Sequence, residues 1–352
     1  YDPNKKHIYI FNTDKTALYS HPMSQYLPYD KFEWVSDDQL SQFDTKKISE
    51  MKDDADLGYV FEVDLEYPKE LHDHHNEYPL APTHEVILEK DLSPQSKKLI
   101  DKPYNLTYTP TSKLCCTLHN KEKYVVHYRT LRLYLQLGLK LTKVHKILQF
   151  KQFPWLKSYI DFNVNKRNTK DLEEFYRDLY KLMCNAVFGK TMENELDRIN
   201  FQLVMHDAVT NNAKFNKLVQ SPFFEATIPI AHNPNLVGIQ SHKSSCEITK
   251  PKGAGFTILD LSKELMYQTY YIIKDFYKEK MHLIMTDTDS LEFSIETDDI
   301  YKDLENNSQL SILFDFYNYK PLLKPGFNLI SKYNYDIYHD YFNCLLSKLN
   351  IF

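Results

Sequence analysis

The chain has 352 residues, 26% of them charged and 42% hydrophobic, which is the composition of a folded protein of two or three subdomains and not of a disordered chain. Its five cysteines include no Cys-x-x-Cys pair, which excludes the common zinc and disulfide frameworks and favours a reducing interior. No 18-residue apolar run and no signal-like start appears, so we expect neither a membrane span nor secretion. The net charge of −5 neither indicates nor excludes a nucleic-acid binder, because what matters is whether Lys and Arg cluster on one face. Because the chain begins with Tyr1, we expect it to be a piece of a longer protein.

The first element is a β-prone run from His7 to Thr13 that ends at Asp14. A short turn or helical segment follows, broken by Pro22 and Pro28. Open sheets present functional groups at strand ends, which makes Asp14 a candidate site residue. Taken alone, Asp14 is more commonly a helix N-cap, so both interpretations stay open at this point.

A second strand is predicted from Gly58 to Pro68, with Asp64 and Glu66 on one face. The segment Leu71–Asn76 contains three histidines and an aspartate. Adjacent residues do not converge on one ion as an i, i+4 pair does, so a polar surface turn is preferred to a zinc site. Residues 84–123 contain several prolines and predict an irregular insertion.

The middle of the chain predicts three further elements. Tyr124–Leu137 has the pattern of an amphipathic helix, Leu139–Phe150 that of a strand, and Pro154 opens a helix to about Asn165.

The next helix is predicted from Asn168 or Thr169 to Val187. At 100° per residue, Lys170, Arg177 and Lys181 fall in a stripe about 40° wide, with Asn185 beside them. The opposite side is apolar and is expected to pack; it consists of Leu172, Phe175, Leu179, Leu182, Met183 and Ala186. A phosphate-binding ladder and an ordinary solvated face both fit this pattern, and Glu174 interrupts the basic stripe.

Beyond this helix, residues 199–250 contain short apolar runs, and a helix capped by Asp260 or Ser262 is predicted to about Lys280. It leads into a predicted hairpin, residues 282–296, whose turn carries Asp287 and Asp289. Two acids at close quarters favour a divalent cation, although Asp is also a common residue in solvated turns.

Three of these features, in this order, resemble the A, B and C motifs of family B DNA polymerases. They are Asp14-Lys-Thr-Ala-Leu-Tyr-Ser20, Lys181-Leu-Met-Cys-Asn-Ala-Val-Phe-Gly189 and Asp287-Thr-Asp-Ser290. Asp64-Leu-Glu-Tyr-Pro68 imitates motif A, but its Asp-to-Tyr spacing is three and not five. Ala17 stands where that family usually has Ser, and Phe188 where it usually has Tyr.

A closer resemblance, over residues 7 to about 305, is to the protein-primed branch found in Maverick/Polinton-type transposons and related viral insertions. The segments that carry it are Leu18-Tyr19, Met23-Ser-Gln-Tyr-Leu-Pro28, Val63-Asp-Leu-Glu-Tyr-Pro68, Leu80-Ala-Pro82, Lys123-Tyr-Val-Val-His-Tyr128, Phe188-Gly-Lys-Thr-Met-Glu-Asn194 and Leu259-Asp-Leu-Ser262.

The resemblance implies an α+β fold, a polymerase palm with an antiparallel sheet plus helical fingers, in which thumb and exonuclease are absent or incomplete. It implies the following division: 1–28 as palm with motif A, 29–153 as a palm extension with a terminal-protein-region-like insertion, 154–190 as fingers with motif B, 191–305 as palm with the motif C hairpin, and 306–352 as a divergent tail. We expect an intracellular protein that acts in the nucleus or at a viral replication site.

By the same resemblance, Asp14 and Asp289 would hold two Mg²⁺ ions, with Mn²⁺ as an alternative and Asp287 in support. Lys181, Arg177 and Lys170 would neutralise the triphosphate. Tyr19 would lie under the sugar as a steric gate. The remaining expected contacts are Asn185 and Phe188 at the nascent base pair, and Gly189 and Lys190 at the template backbone. The expected partners are primer-template DNA, dNTPs and a terminal protein, with no membrane.

The implied activity is template-directed DNA synthesis by two-metal nucleotidyl transfer to a primer 3′-hydroxyl. An inactive remnant that at most binds nucleic acid is the main alternative, motivated by the altered tail, the missing exonuclease and the net negative charge. A two-metal nuclease is a weaker alternative, since it leaves Lys181 and Tyr19 without a role.

Overall fold

The described part of the protein, a computed structural model, comprises residues 7–101, 107–205, 213–233, 235–245 and 247–314. The chain forms two compact units. One contains the residues up to Asn185 and those from Thr257 onwards; the other is Ala186–Phe256. The chain passes from one unit to the other inside two helices.

The strands, in chain order, are β1 (His7–Asp14), β2 (Leu27–Trp34), β3 (Leu57–Glu66), β4 (Thr83–Ile87), β5 (Thr111–Cys115), β6 (Lys121–His127), β7 (Lys140–Phe153), β8 (Ile199–Met205), β9 (Phe224–Pro229), β10 (Leu236–His242), β11 (Met281–Asp287) and β12 (Ser290–Thr297). They form antiparallel sheets of order β1-β12-β11, β2-β7-β3-β6 and β4-β5 in the first unit and β8-β10-β9 in the second.

The helices are α1 (Ser20–Met23), α2 (Thr45–Glu50), α3 (His72–His75), α4 (Pro94–Asp101), α5 (Tyr128–Gln136), α6 (Lys157–Arg167), α7 (Glu174–Thr191), α8 (Ala213–Val219), α9 (Lys252–Tyr277), α10 (Ile300–Asn306) and α11 (Ser308–Leu313). Antiparallel sheets combined with helices confirm the predicted α+β class.

The sheet β1-β12-β11 contains the predicted hairpin as its two later strands. In β12 the side chains of Leu291, Phe293 and Ile295 are buried, because alternate residues of a strand share one face and this face packs on the core. Tyr270 of α9 lies against Phe293, with ring centroids 6.2 Å apart. The end of β1 and the end of β11 therefore lie on either side of the start of β12, at one end of a well-packed sheet.

The start of β11 is held by Glu77, a residue far from it in sequence. The Glu77 carboxylate accepts hydrogen bonds from the Leu283 N–H at 3.0 Å and from the His282 ring at 2.7 Å, and it lies 3.5 Å from the Lys274 ammonium. Burial opposes ionisation of Glu77, but these three groups outweigh it and lower its pKa. The segment after β3 is thereby fastened to both α9 and the hairpin.

The sheet β2-β7-β3-β6 corrects one sequence prediction. Tyr124–Leu137 is not one helix: its first residues belong to β6, which pairs with β3, and α5 begins only at Tyr128. The buried His127 N–H donates to the Asp260 carboxylate at 2.7 Å, a tertiary bond that the local pattern does not contain. The predicted strand Leu139–Phe150 is confirmed as β7.

Asp260 also accounts for the second correction. It is 1% exposed and lies inside α9, which begins at Lys252 and not at Asp260 or Ser262. Its carboxylate accepts from His127 and pairs with Lys263 at 2.6 Å. Asp260, which the sequence suggests to be a helix cap, is instead a buried residue that joins α9 to β6 by a hydrogen bond.

The start of α7 is the third correction. This helix begins at Glu174, because Asp171 adopts a left-handed φ of 60° that separates it from α6. Lys170 consequently lies in the preceding turn and not on the helix. The predicted apolar packing face is also wrong in part, since Phe175 and Leu182 are 70% and 63% exposed, whereas Cys184 is buried.

The histidine-rich segment is not a polar surface turn. It forms α3, and His75 is 1% exposed with its ring nitrogen 2.8 Å from the Tyr67 hydroxyl. Burial, followed by His74 and His72, lowers the pKa of His75 to about 4, so it is neutral at pH 7. This histidine is a hydrogen-bonded core residue.

Residues 84–123 are more regular than expected, because they include most of the β4-β5 ribbon and α4. The predicted tail begins at Asn306, the last residue of α10, and its part up to Leu313 contains α11; the remaining prediction, from residue 315 onwards, lies outside the described residues. In the described ranges, no helix has both the length and the apolar character that crossing a membrane requires.

The Glu77 clamp generates the first prediction. Glu77→Gln keeps the shape of the side chain but removes the charge that faces the buried Lys274, so we expect a loss of about 2 kcal/mol in the free energy of unfolding. Denaturant titration followed by circular dichroism measures it. Because the folded-state pKa of Glu77 is lowered, its stabilisation exists above the ordinary carboxyl pKa and disappears as the pH falls through the lowered value. The exposed Glu279→Gln is the control; equal effects of the two variants would contradict the clamp.

Candidate active site

The site is built where the end of β1 meets the β11-β12 turn. Asp14, the last residue of β1, pairs with Ser290, the first residue of β12. The next N–H, that of Lys15, donates to the Asp289 carbonyl at 2.7 Å. Main-chain hydrogen bonds thus hold Asp14 beside the turn that joins β11 and β12.

The turn itself is tight and internally bonded. Thr288 has a left-handed φ of 53°, which lets the chain reverse within two residues. The Thr288 hydroxyl donates to the Asp287 carboxylate and the Ser290 hydroxyl to the Asp287 carbonyl, both at 3.1 Å. These contacts fix the position of Asp289 in the turn.

Asp14 and Asp289 interact electrostatically. Burial, followed by the charge of Asp289, raises the pKa of Asp14 to about 6, and Lys181 partly opposes the shift. A carboxylate whose pKa is raised by the charge of a neighbouring carboxylate gains from a cation placed between the two. The pair therefore has the chemistry of a divalent-cation site.

Asp287 is set apart from this pair. It is exposed and lies opposite Ser290, which in turn lies opposite Asp14, so Asp287 and Asp14 are separated by two strand spacings, roughly 9–10 Å. Within the described residues, no group of three or more His, Cys, Asp or Glu side chains is arranged to hold a metal ion. Oxygen ligands from water or substrate would have to complete a cation site on Asp14 and Asp289.

Tyr19 joins the same site from the segment after β1. Ala17 has a left-handed φ of 53°, and the N–H groups of Ser20 and His21 donate to its carbonyl, which starts α1. Burial, followed by the charge of Asp289, raises the pKa of Tyr19. The phenol therefore lies within electrostatic reach of the Asp289 carboxylate.

Lys181 reaches the site from α7. The positive charge of Lys181 partly opposes the rise in the pKa of Asp14. One turn further on, the buried Cys184 thiol lies beside the buried Ser20 hydroxyl of α1, and the Tyr159 hydroxyl of α6 donates to the Met183 carbonyl at 3.1 Å. α7 is thus packed against the turn that carries Tyr19.

The other predicted nucleotide-binding residues are not drawn together in the same way. Arg177 is on α7 one turn before Lys181 and is exposed, Asn185 is exposed at the end of the first unit, and Lys170 is exposed in the turn before α7. Among the described residues, Lys181 is the cation whose charge acts on the pKa of Asp14.

The predicted DNA-binding residues Phe188, Gly189 and Lys190 lie in the second unit, in the last turns of α7. Lys190 pairs with Glu193 at 2.7 Å, and Glu193 also accepts from Arg198. Arg198 and Lys190 lower the pKa of Glu193 to about 2. The Lys190 charge is therefore already compensated in the described structure.

Gly189 has a different environment. A Cβ built on it would meet no atom within 4 Å, so nothing in the described chain requires glycine there. Glycine in a helix interior lowers stability by about 0.5–1 kcal/mol relative to alanine. Its small size is thus available for a close approach from outside the chain.

Sequence reasoning missed Glu77 and Lys15. Glu77 lies some two hundred positions from the strand it holds, and no local pattern connects them. Lys15 could have been noticed, because it follows Asp14 directly. It is also two residues after the buried Thr13, and residues two apart in a strand point to the same face.

Neither a protein-family model nor a curated protein matches the chain. Among solved structures, it is similar to Phi29 DNA polymerase in an orthorhombic crystal form, with 15% identity, a TM-score of 0.43 and coverage of 86% of this chain and 42% of that one. The ternary complex of the same polymerase with primer-template DNA and incoming nucleotide substrates has 16% identity to this chain and a TM-score of 0.44. That match covers 86% of this chain and 42% of that one. The chain thus spans about two fifths of the solved chains that it matches.

The acid pair generates the second prediction. Since the folded-state pKa of Asp14 is raised, ionising Asp14 costs stability as the pH rises from about 4 through 6. In EDTA, Asp14→Asn should therefore gain about 1 kcal/mol over the wild type between pH 4.5 and 7.5, after allowance for solvent screening. Thermal unfolding at the two pH values measures this, with the exposed Asp38→Asn as control. A difference in stability between Asp14→Asn and the wild type that does not change with pH would contradict the like-charge pair.

Proposed function

We propose that this chain carries the core of a DNA-directed DNA polymerase that joins dNTPs to a primer 3′-hydroxyl on a template. The observation that carries the proposal is the meeting of Asp14, Asp289, Tyr19 and Lys181, which come from the three segments that resemble motifs A, B and C. Acids alone would serve several phosphoryl-transfer reactions. A lysine and a tyrosine placed beside the acids specify a site for a nucleoside triphosphate.

In this proposal Asp14 and Asp289 hold divalent cations, Mg²⁺ or Mn²⁺, with Asp287 in support. When bound, the cations would make the primer 3′-hydroxyl more acidic and neutralise the leaving pyrophosphate. Lys181 neutralises triphosphate charge, and Tyr19 supports the sugar and excludes a 2′-hydroxyl. Arg177, Lys170 and Asn185 are auxiliary nucleotide contacts, of which Lys170 is supported least because it lies off the helix.

Template contact is assigned to Phe188, Gly189 and Lys190. The open surroundings of Gly189 support the close approach of a nucleic-acid backbone, since glycine there has no role within the described chain. Primer-template DNA and dNTPs are the proposed partners, with a terminal protein as a further one. The proposal includes placement in the protein-primed branch of family B, with the transposon or viral origin that the motifs indicate, and action in the nucleus or at a viral replication site.

The catalytic proposal is tested by primer extension with the full 352-residue chain in Mg²⁺. Asp289→Asn and Asp14→Asn should each lower the rate by at least about 10³-fold, because a cation site worth several kcal/mol is lost. Asp287→Asn should have a smaller effect, since this acid lies apart from the pair. Asp38→Asn, an exposed acid elsewhere in the same unit, is the control. Full activity of Asp289→Asn would reject the assignment.

A second candidate is an inactive protein that only binds nucleic acid. The separation of Asp287 from Asp14 favours it, because only two acids converge among the residues that the structure describes. Primer-template binding without incorporation by the wild-type chain, in either Mg²⁺ or Mn²⁺, would support this candidate and reject the polymerase. An arm without dNTP detects metal-dependent DNA degradation, the outcome expected of a nuclease.

Gly189→Ala separates stability from template contact. Alanine should stabilise α7 by about 0.5–1 kcal/mol, since its Cβ enters open space. The same methyl group should weaken primer-template binding, measured by fluorescence anisotropy in Ca²⁺, because it obstructs the DNA backbone.

Gly255→Ala is the matched contrast within the second unit. Its Cβ would clash with the Met192 sulfur and the Thr191 hydroxyl, so this variant should lose stability. Unchanged DNA affinity in a stabilised Gly189→Ala variant would contradict the assigned template contact.

A further inference from the structure

Lys15 occupies an unusual position beside the acid pair. It follows Asp14, and its N–H is bonded to the Asp289 carbonyl. Lys15 is half-buried and lines a cavity of about 420 Å³, together with Asp14, Asp289, Thr16 and Thr269. The lysine therefore has access to the space that adjoins the proposed catalytic acids.

The Lys15 ammonium has no compensating anion in the described part of the chain. It makes no hydrogen bond or ion pair there, and the pKa of Asp14 responds to Lys181 and not to Lys15. Holding a cation partly out of water without a partner lowers stability. A bound anion would remove this cost.

A histidine and an arginine lie within electrostatic reach of Lys15. Burial, followed by the charges of Lys15 and Arg129, lowers the pKa of His21, so His21 is neutral at pH 7. Arg129 is already engaged, since its Nε lies 3.4 Å from carboxylate oxygens of both Asp53 and Glu264. Lys15 and His21 are thus the members of this cluster that have charge or a ring N–H to offer a ligand.

We propose that Lys15, assisted by His21, forms a phosphate-binding site next to the acid pair, for a phosphodiester of the DNA backbone or a phosphate of the nucleotide. A lysine acts on phosphate as a compact charge, and a neutral histidine can donate one N–H. The location suits phosphate, because the cations proposed to bind Asp14 and Asp289 would attract phosphate groups to this cavity. This inference rests on the proposed function, which brings phosphates to this edge of the sheet.

The test compares Lys15→Met with the wild-type full chain. Primer-template affinity is measured by anisotropy in Ca²⁺, without dNTP, over a series of KCl concentrations. Loss of one DNA phosphate contact should lower the slope of log affinity against log salt by about 0.7–0.9 and weaken binding about 5–10-fold near 0.1 M salt. Lys15→Arg keeps the charge and should restore both the salt dependence and the affinity of the wild type. The exposed Lys46→Met should change neither.

A second arm identifies the source of the phosphate. If Lys15 binds the nucleotide, Lys15→Met should leave the salt slope unchanged and raise the KM for dNTP, with Lys15→Arg again restoring it. Unchanged slope and unchanged KM would overturn the inference. The binding arm needs no catalysis, so a wild-type chain that binds DNA but does not extend primers rejects the polymerase proposal and still tests Lys15. A wild-type chain that does not bind DNA overturns both.

Discussion

The pairing of β1 with β12 is the constraint on which the rest of the site depends. It joins residues that are 278 positions apart in the case of Thr13 and Leu291. Without this pairing, Asp14 and Asp289 would be on separate parts of the chain, and Tyr19 would have no carboxylate beside it. Two other tertiary features support this pairing. The Glu77 clamp holds β11 and α9 together, and the buried Asp260 joins α9 to β6.

The site is held in an electrostatically unfavourable state by these main-chain bonds. The same hydrogen bonds that position Asp14 and Asp289 bring their charges together, and in the described part of the chain Lys181 is what offsets the repulsion at Asp14. Strand pairing and core packing supply the stability that permits this. A catalytic site for cations needs such an arrangement, because acids that were already neutralised by lysines would have little affinity for a metal ion.

The sequence was most informative where function imposes residue types at fixed spacing. The hairpin, the strand before Asp14 and the strand now called β7 were predicted because their alternation and turn residues are local signals. The errors lie where distant residues decide. His127 is a strand residue because of Asp260, and α7 begins late because Asp171 takes a left-handed conformation that its sequence only permits. The exposed face of α7 illustrates the same limit, since periodicity gives an apolar side but not what that side contacts.

The position of β1 also affects how the chain must fold during synthesis. At about 5–20 residues per second, a ribosome needs roughly 14–56 seconds after making Thr13 before Leu291 exists. During that interval β1 has no strand partner, and Ile8 and Ile10, which remain more than half exposed even in the folded chain, are open to contacts with other molecules. The candidate site therefore assembles late, and a nascent chain halted before β12 would contain Asp14 without the carboxylate of Asp289 beside it.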